Sequence, residues 1–172
     1  MATKVGQIRA REVEANRLYQ QADKHWSRGR MRSAFHLFLA AAKAGMVPAF
    51  RTVGQFYDRG DGVKASQEAA LYWYRRAYRH GSDSAANNIG CILRDRGELS
   101  RALWWLKRAV RLGDDDANLN IAKIYLRRER NLKNAIHYLN KTCKSGRATQ
   151  GSKEEARILL RRLKSRAAKR AS

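Results

Sequence analysis

Acidic residues are scarce in this chain, cysteine and proline are scarcer, and a long apolar run is missing; each shortage removes a class of protein. Cys91 and Cys143 are the only cysteines and stand far apart with no CxxC spacing, so neither a disulfide framework nor a zinc site is indicated. No stretch of eighteen apolar residues occurs, and the N-terminal "MATKVGQIRAREVEANRLYQ" has no hydrophobic h-region. Neither a membrane span nor a secretory signal is therefore expected, and a reducing cytoplasm fits best. The single proline, Pro48, stands at a helix start, where its missing N–H costs nothing. The four histidines, 25, 36, 80 and 137, show no metal-ligand spacing with a carboxylate. "DRGDG" at 58–62 lacks the remaining ligands of a calcium loop, and no P-loop or dinucleotide fingerprint is present. An enzyme is not expected, nor a cofactor or a metal.

What the chain has in excess is positive charge. Lys and Arg total 37 against 15 Asp and Glu, a net charge of +22 over 172 residues. A surface so one-sided points to an acidic partner: a protein, a nucleic acid or an anionic membrane. Arginine outnumbers lysine 25 to 12, which favours bidentate contacts, because a planar guanidinium fork matches carboxylate and phosphate geometry.

The length suits one core or one short array, and the array is visible as internal repetition. Four segments align without a gap from an alanine to a glycine: "AFHLFLAAAKAG" (34–45), "ALYWYRRAYRHG" (70–81), "ALWWLKRAVRLG" (102–113) and "AIHYLNKTCKSG" (135–146). The intervening halves align on a small residue, Ala22, Gly54, Gly90 and Ala122, flanked by apolar residues at helical spacing in "AFRTVGQFYDRG", "AANNIGCILRDRG" and "ANLNIAKIYLRRE". A small side chain there lets two helices approach closely. Each unit reads as helix A, turn, helix B and a C-capping glycine, with Gly29, Gly97 and "RGDG" (59–62) supplying turns.

This pattern resembles the Sel-like repeat family, a relative of tetratricopeptide repeats. The second unit carries the resemblance most fully, on Ala49, Gly54, Tyr57, Gly60, Gly62, Val63, Ala70, Trp73, Tyr74, Ala77 and Gly81. The third and fourth units lack the G-x-G-V loop, and the first has Leu37-Phe38 in place of Trp-Tyr. The implied fold is all-α, a right-handed α-solenoid of about four helix-turn-helix repeats in which each unit buries its face against its neighbours. The organisation expected is a basic tail over residues 1–10, repeats over 11–146 (units about 11–45, 46–81, 82–113 and 114–146), and a capping segment over 147–172. That last segment predicts a helix starting on a Ser152/Glu155 capping box, with an apolar stripe on Ala156, Leu159, Leu160 and Leu163 and fraying after about residue 165. Asp114, Asp115 and Asp116 open a helix, where capping and the helix dipole account for them.

Aligned columns separate packing from surface. The columns Leu37/Trp73/Trp105/Tyr138 and Phe38/Tyr74/Leu106/Leu139 accept aliphatic residues and read as core. The column His36/Tyr72/Trp104/His137 is amphipathic, either a contact surface or a rim covering a neighbouring helix. Two further columns are basic: Ala40/Arg76/Arg108/Lys141 and, three residues on, Lys43/Arg79/Arg111/Lys144. Arg76, Arg79, Arg108, Arg111, Lys141 and Lys144 thus predict a ladder on the B helices, reaching about 8 Å into physiological salt, unless it is only a solvated face. On the A helices the polar positions Arg51, Thr52, Gln55, Arg59, Asn87, Asn88, Asn120, Lys123 and Arg127 share a side. The resemblance implies that this side is a concave groove binding an extended peptide, with amides on the peptide backbone and cations on its carboxylates.

The function expected is a non-enzymatic scaffold or adaptor for an acidic protein or carboxylate-bearing peptide. Two other readings stay open: sequence-independent binding of a nucleic-acid backbone through the ladder and the "RRLKSRAAKR" tail, and a toxin-neutralising role of the immunity type. A membrane-surface role is disfavoured because the last helix lacks aromatic anchors.

Overall fold

The computed structural model describes residues 4–127 and 131–171. Among them run nine helices and no strand: α1 (Lys4–Ser27), α2 (Met31–Lys43), α3 (Val47–Arg59), α4 (Gln67–Arg79), α5 (Asp83–Asp95), α6 (Leu99–Leu112), α7 (Ala117–Arg127), α8 (Leu132–Lys144) and α9 (Gln150–Ala171). This is an all-α solenoid of helix pairs with a C-terminal helix. Residues 4–10, expected as a tail, form the first turns of α1, and residues 166–171 extend α9 where fraying was expected. Both segments are rich in strong helix formers such as arginine, alanine and lysine. Residues 1–3, Ser172 and the "RRE" at 128–130 that ends the third quoted A-helix motif lie outside the described residues. None of the described helices is long and apolar enough to cross a membrane.

The chain divides into two compact units, Met1–Ser82 and Asp83–Ser172. In the first, α1 pairs with α2, α3 with α4, and α2 packs on α3; in the second, α5 pairs with α6, α7 with α8, α6 packs on α7 and α9 on α8.

Each pair is closed by one column against another. Phe38, Tyr74, Leu106 and Leu139 are all essentially fully buried, and so are the small residues facing them from the A helices. A Cβ built on Gly54 would stand 2.6 Å from the Tyr74 ring, and one on Gly90 2.6 Å from Leu106 Cγ, so glycine is what lets these helices meet. The core reading of Trp73 and Tyr74 holds, at 6% and 1% exposure. The Tyr74 hydroxyl donates to Asp58 Oδ2 at 3.3 Å, and burial together with that carboxylate pushes the phenol well above its ordinary pKa.

Gly62 has φ +67°, and a side chain on it would run into the backbone of Met31 (2.6 Å) and Arg32. The G-x-G-V loop is therefore folded against the first turn of α2. In the second unit the corresponding turn is reduced to residues 96–98, where no such approach is needed.

Two capping expectations are corrected. Gly45, Gly81 and Gly113 adopt left-handed φ after their helices, but Gly146 does not. There α8 ends on an extended Ser145, whose Oγ accepts from the N–H groups of Arg147 (2.9 Å) and Ala148 (2.8 Å). Nor does Ser152 begin α9: Thr149 Oγ1 accepts from the Ser152 N–H at 3.3 Å, one turn earlier. Glu155, expected to complete the box, instead pairs with Lys123 at 2.8 Å.

Candidate functional site

The A-helix side and the B-helix side of the repeats make different use of their polar residues. In the first unit Arg51 is half-buried beside Tyr19, Pro48 and His80 in a pocket of about 300 Å³. Gln55 is half-buried and Arg59 exposed. Thr52 does not belong to an open groove: it is 3% exposed, and its hydroxyl turns back to the Pro48 carbonyl at 3.5 Å. A threonine inside a helix can satisfy its hydroxyl on the preceding turn, which lets it occupy a core position.

In the second unit the groove residues form a chain of hydrogen bonds across repeats. Asn87 Nδ2 donates to Asp114 Oδ2 at 3.0 Å, Asn120 Nδ2 donates to Asn87 Oδ1 at 2.9 Å, and Arg94 Nη1 donates to Asn120 Oδ1 at 2.7 Å. Arg94 also donates through Nε to Asp95 at 2.9 Å. The amides expected to receive a peptide are thus engaged in joining α5, α7 and the turn between α6 and α7. Asn88 and Lys123 are half-buried, Lys123 in its ion pair with Glu155, and Arg127 is exposed.

The aspartate run is a clasp more than a cap. Asp114 reaches Asn87 on α5, Asp115 accepts from Ser145 Oγ at 2.6 Å, and Asp116 accepts from the Thr149 N–H at 2.8 Å and hydroxyl at 3.1 Å. Only Asp114 caps a backbone group nearby, the Asp116 N–H at 3.0 Å. No described cluster of three or more His, Cys, Asp or Glu residues could hold a metal ion.

Burial pushes the Asp114 carboxyl above its ordinary value, reinforced by Asp116 and Asp83 and opposed by its bond from Asn87. A raised folded-state pKa gives stability that is complete below the unfolded pKa and lost as pH rises through the folded one. Relative to Asp114→Asn, the parent chain is expected to gain stability on acidification from pH 7 toward pH 4. Urea unfolding of both chains across that range checks the sign, and parallel profiles would refute it.

On the B helices the ladder positions face solvent, with one exception. Arg79, Arg108, Arg111, Lys141 and Lys144 are exposed. Arg76 is half-buried, its guanidinium 4.4 Å from the Phe50 ring centroid and 5.1 Å from that of Trp73. Arg108 lies 5.4 Å over Trp104 and Lys141 5.7 Å over Tyr138. Each of these cations is three or four residues past an aromatic ring, the spacing that stacks side chains on a helix. Such contacts contribute about 0.5–1 kcal/mol at exposed sites and hold the charge against its helix. In the second unit, a pocket of about 400 Å³ is lined by Val110 of α6 together with His137, Asn140, Lys141 and Lys144 of α8. The cationic ends of these two B helices therefore border one concavity. The amphipathic column resolves outward, with Tyr72 at 55% and Trp104 at 51% exposure and His36 and His137 exposed as well.

Repeat alignment does not single out Arg94, Ser145 or Thr149. Each acts at one place in the chain, so no column announces it; only the contiguous aspartates mark the far end of their bonds.

Comparison with known proteins agrees with this architecture. The model of the Sel1 repeat matches residues 31–46, 53–82, 85–114 and 115–146, leaving α1 and α9 outside. A Sel1 repeat protein from Oxalobacter formigenes superposes with a TM-score of 0.60 at 21% identity, over 74% of this chain and 56% of that one. The protective antigen c5321 of uropathogenic Escherichia coli strains, displaying an SLR fold, superposes with a TM-score of 0.54 at 26% identity, over 63% of this chain and 25% of that one. The chain thus spans less than two thirds of either. No curated protein sequence matches it. With four matched segments covering most of α2 to α8, the glycine-mediated approach of paired helices and the same fold in both neighbours, the chain belongs to the Sel1 repeat family.

Proposed function

We propose that this protein is a non-catalytic scaffold that binds an acidic protein segment along the exposed B helices of its second unit. Family membership supports protein–protein interaction in general; the surface chemistry supports the choice of partner and face. One observation carries the reading. The acids of this unit are turned inward or paired, Asp114 to Asn87, Asp115 to Ser145, Asp116 to Thr149, Asp95 to Arg94 and Glu155 to Lys123. Arg108, Arg111, Lys141 and Lys144 meanwhile remain exposed. Such a face steers acidic partners and offers bidentate arginine contacts to carboxylates. The A-helix groove is the weaker candidate, because Asn87 and Asn120 already bond to each other.

Pull-down from nuclease-treated lysate tests the reading. An acidic protein should be recovered in stoichiometric amount, and reversing Arg108, Arg111, Lys141 and Lys144 to glutamate should weaken its binding at least about tenfold, the equivalent of roughly 1.4 kcal/mol. Unchanged binding would reduce the ladder to a solvated face.

A second reading is favoured by exposed Trp104 beneath the Arg108 guanidinium, since an exposed ring next to cations is what stacking on single-stranded nucleic acid requires. It predicts nuclease-sensitive recovery and an affinity that falls linearly with salt on a log–log plot.

A further inference from the structure

The described residues of the second unit contain a different surface, away from the ladder positions. Leu126 at the end of α7, Leu132 at the start of α8, and Leu159 and Leu163 on α9 line a groove of about 410 Å³, edged by Arg162 and Arg166. It is predominantly apolar, and Leu132 is 41% exposed on it. Ala156 and its neighbours on the inner side of α9 pack on Leu119, Ala122 and Leu139, which seats the helix. Leu163 contributes to both the seat and the groove.

We propose that this groove docks an acidic amphipathic helix of a partner protein. Leu159 and Leu163 are four residues apart and the stripe continues to Ala167, about 12 Å at 1.5 Å per residue, which matches two turns of an incoming helix bearing apolar side chains at i, i+4 and i+7. Arg162 and Arg166 lie one turn apart along the rim, spaced to meet carboxylates flanking those anchors.

Charge selects this occupant over the others. From residue 156 onward the sequence has seven cations (Arg157, Arg161, Arg162, Lys164, Arg166, Lys169 and Arg170) and no acid. The two acids earlier in α9 are engaged, Glu154 with Arg157 at 3.2 Å and Glu155 with Lys123 at 2.8 Å. A second copy of a chain with net charge +22 would bring like charge onto like. A lipid surface would need bulky anchors, and α9 carries no aromatic residue. The apolar lining distinguishes this surface from the ladder, where charge alone would attract any polyanion.

The probe is a fluorescein-labelled Glu/Ala helix carrying leucines at i, i+4 and i+7, titrated with the full chain by anisotropy at physiological salt. Saturable binding is expected, weakened at least about tenfold in Arg162→Glu/Arg166→Glu and in a peptide with serine for each leucine. Both arginines are exposed, so the variant should keep its helical circular dichroism. The ladder reversal should change this affinity by no more than about threefold, since screening confines its field to about 8 Å; failure of the ladder reading would leave the groove untouched. Equal binding of the serine peptide, no effect of the arginine reversals, or no binding of the leucine peptide would each overturn the proposal. So would retention of the chain by phosphatidylserine vesicles through the same arginines when the leucine peptide does not compete.

Discussion

Phe38→Ala is expected to destabilise the first unit by about 3–5 kcal/mol, the usual cost of emptying a fully buried aromatic site. Phe38 is 0% exposed, and its ring meets Tyr19 at 5.2 Å, Trp26 at 6.0 Å and Phe56 at 5.8 Å between centroids. These partners come from α1 and α3, so one side chain joins three helices. The three rings around it are large and already engaged, which limits their collapse into the space left behind. For a unit of this size the loss corresponds to a fall in Tm on the order of 20 °C. Because repeats depend on their nearest neighbours, the damage should be local. Hydrogen exchange resolved by peptide should show α1, α2 and α3 losing protection first, while α7 and α8 keep theirs; uniform loss, or a cost below about 1 kcal/mol, would contradict this packing.

The second large effect concerns a residue with no side chain. Gly→Ala inside a helix ordinarily gains about 1 kcal/mol from propensity. At Gly90 a loss of about 1–3 kcal/mol is expected instead, as in other overpacked cores. The added Cβ would stand 2.6 Å from Leu106 Cγ and 2.7 Å from Cδ2, and 3.3 Å from the backbone N of Leu106. A rotamer change can move the first two atoms but not the third, so α5 and α6 must separate. Leu106→Ala removes the side-chain part of the clash while leaving a cavity. The double variant should therefore cost less than the sum of the two single ones by about 1 kcal/mol or more in urea unfolding. Strict additivity would mean that the two residues do not press on each other. Ala122, at the equivalent place in the next pair, shows that the approach of α7 to α8 accommodates a methyl group.

Reading by columns works for this chain wherever a role recurs. Tyr74 can be placed in the core because Phe38, Leu106 and Leu139 share its column, and all four are buried. The same reasoning fails for Thr52, which stands in a polar column but satisfies its hydroxyl on Pro48 and is buried. It also misjudges the amides. An asparagine on a polar side is equally suited to a ligand or to another asparagine, and Asn87 and Asn120, thirty-three residues apart, choose each other. The caps at the end of the array depart for a related reason. Asp115 and Asp116 offer strong acceptors to Ser145 and Thr149, and these bonds outweigh the local signals of Gly146 and Ser152.

The helix pairs, their glycine contacts, the core columns and the excess of positive charge are all legible in the order of residues. Each arises from a pattern that repeats, because a repeat protein must bury the same kind of face against each neighbour. The hydrogen-bond chain from Asp114 to Arg94, the aspartate clasp, the outward side of Tyr72 and Trp104, and the groove beside α9 belong to the tertiary structure. They join residues distant in sequence or sit where the array ends, so no period records them, and only packing brings their partners together.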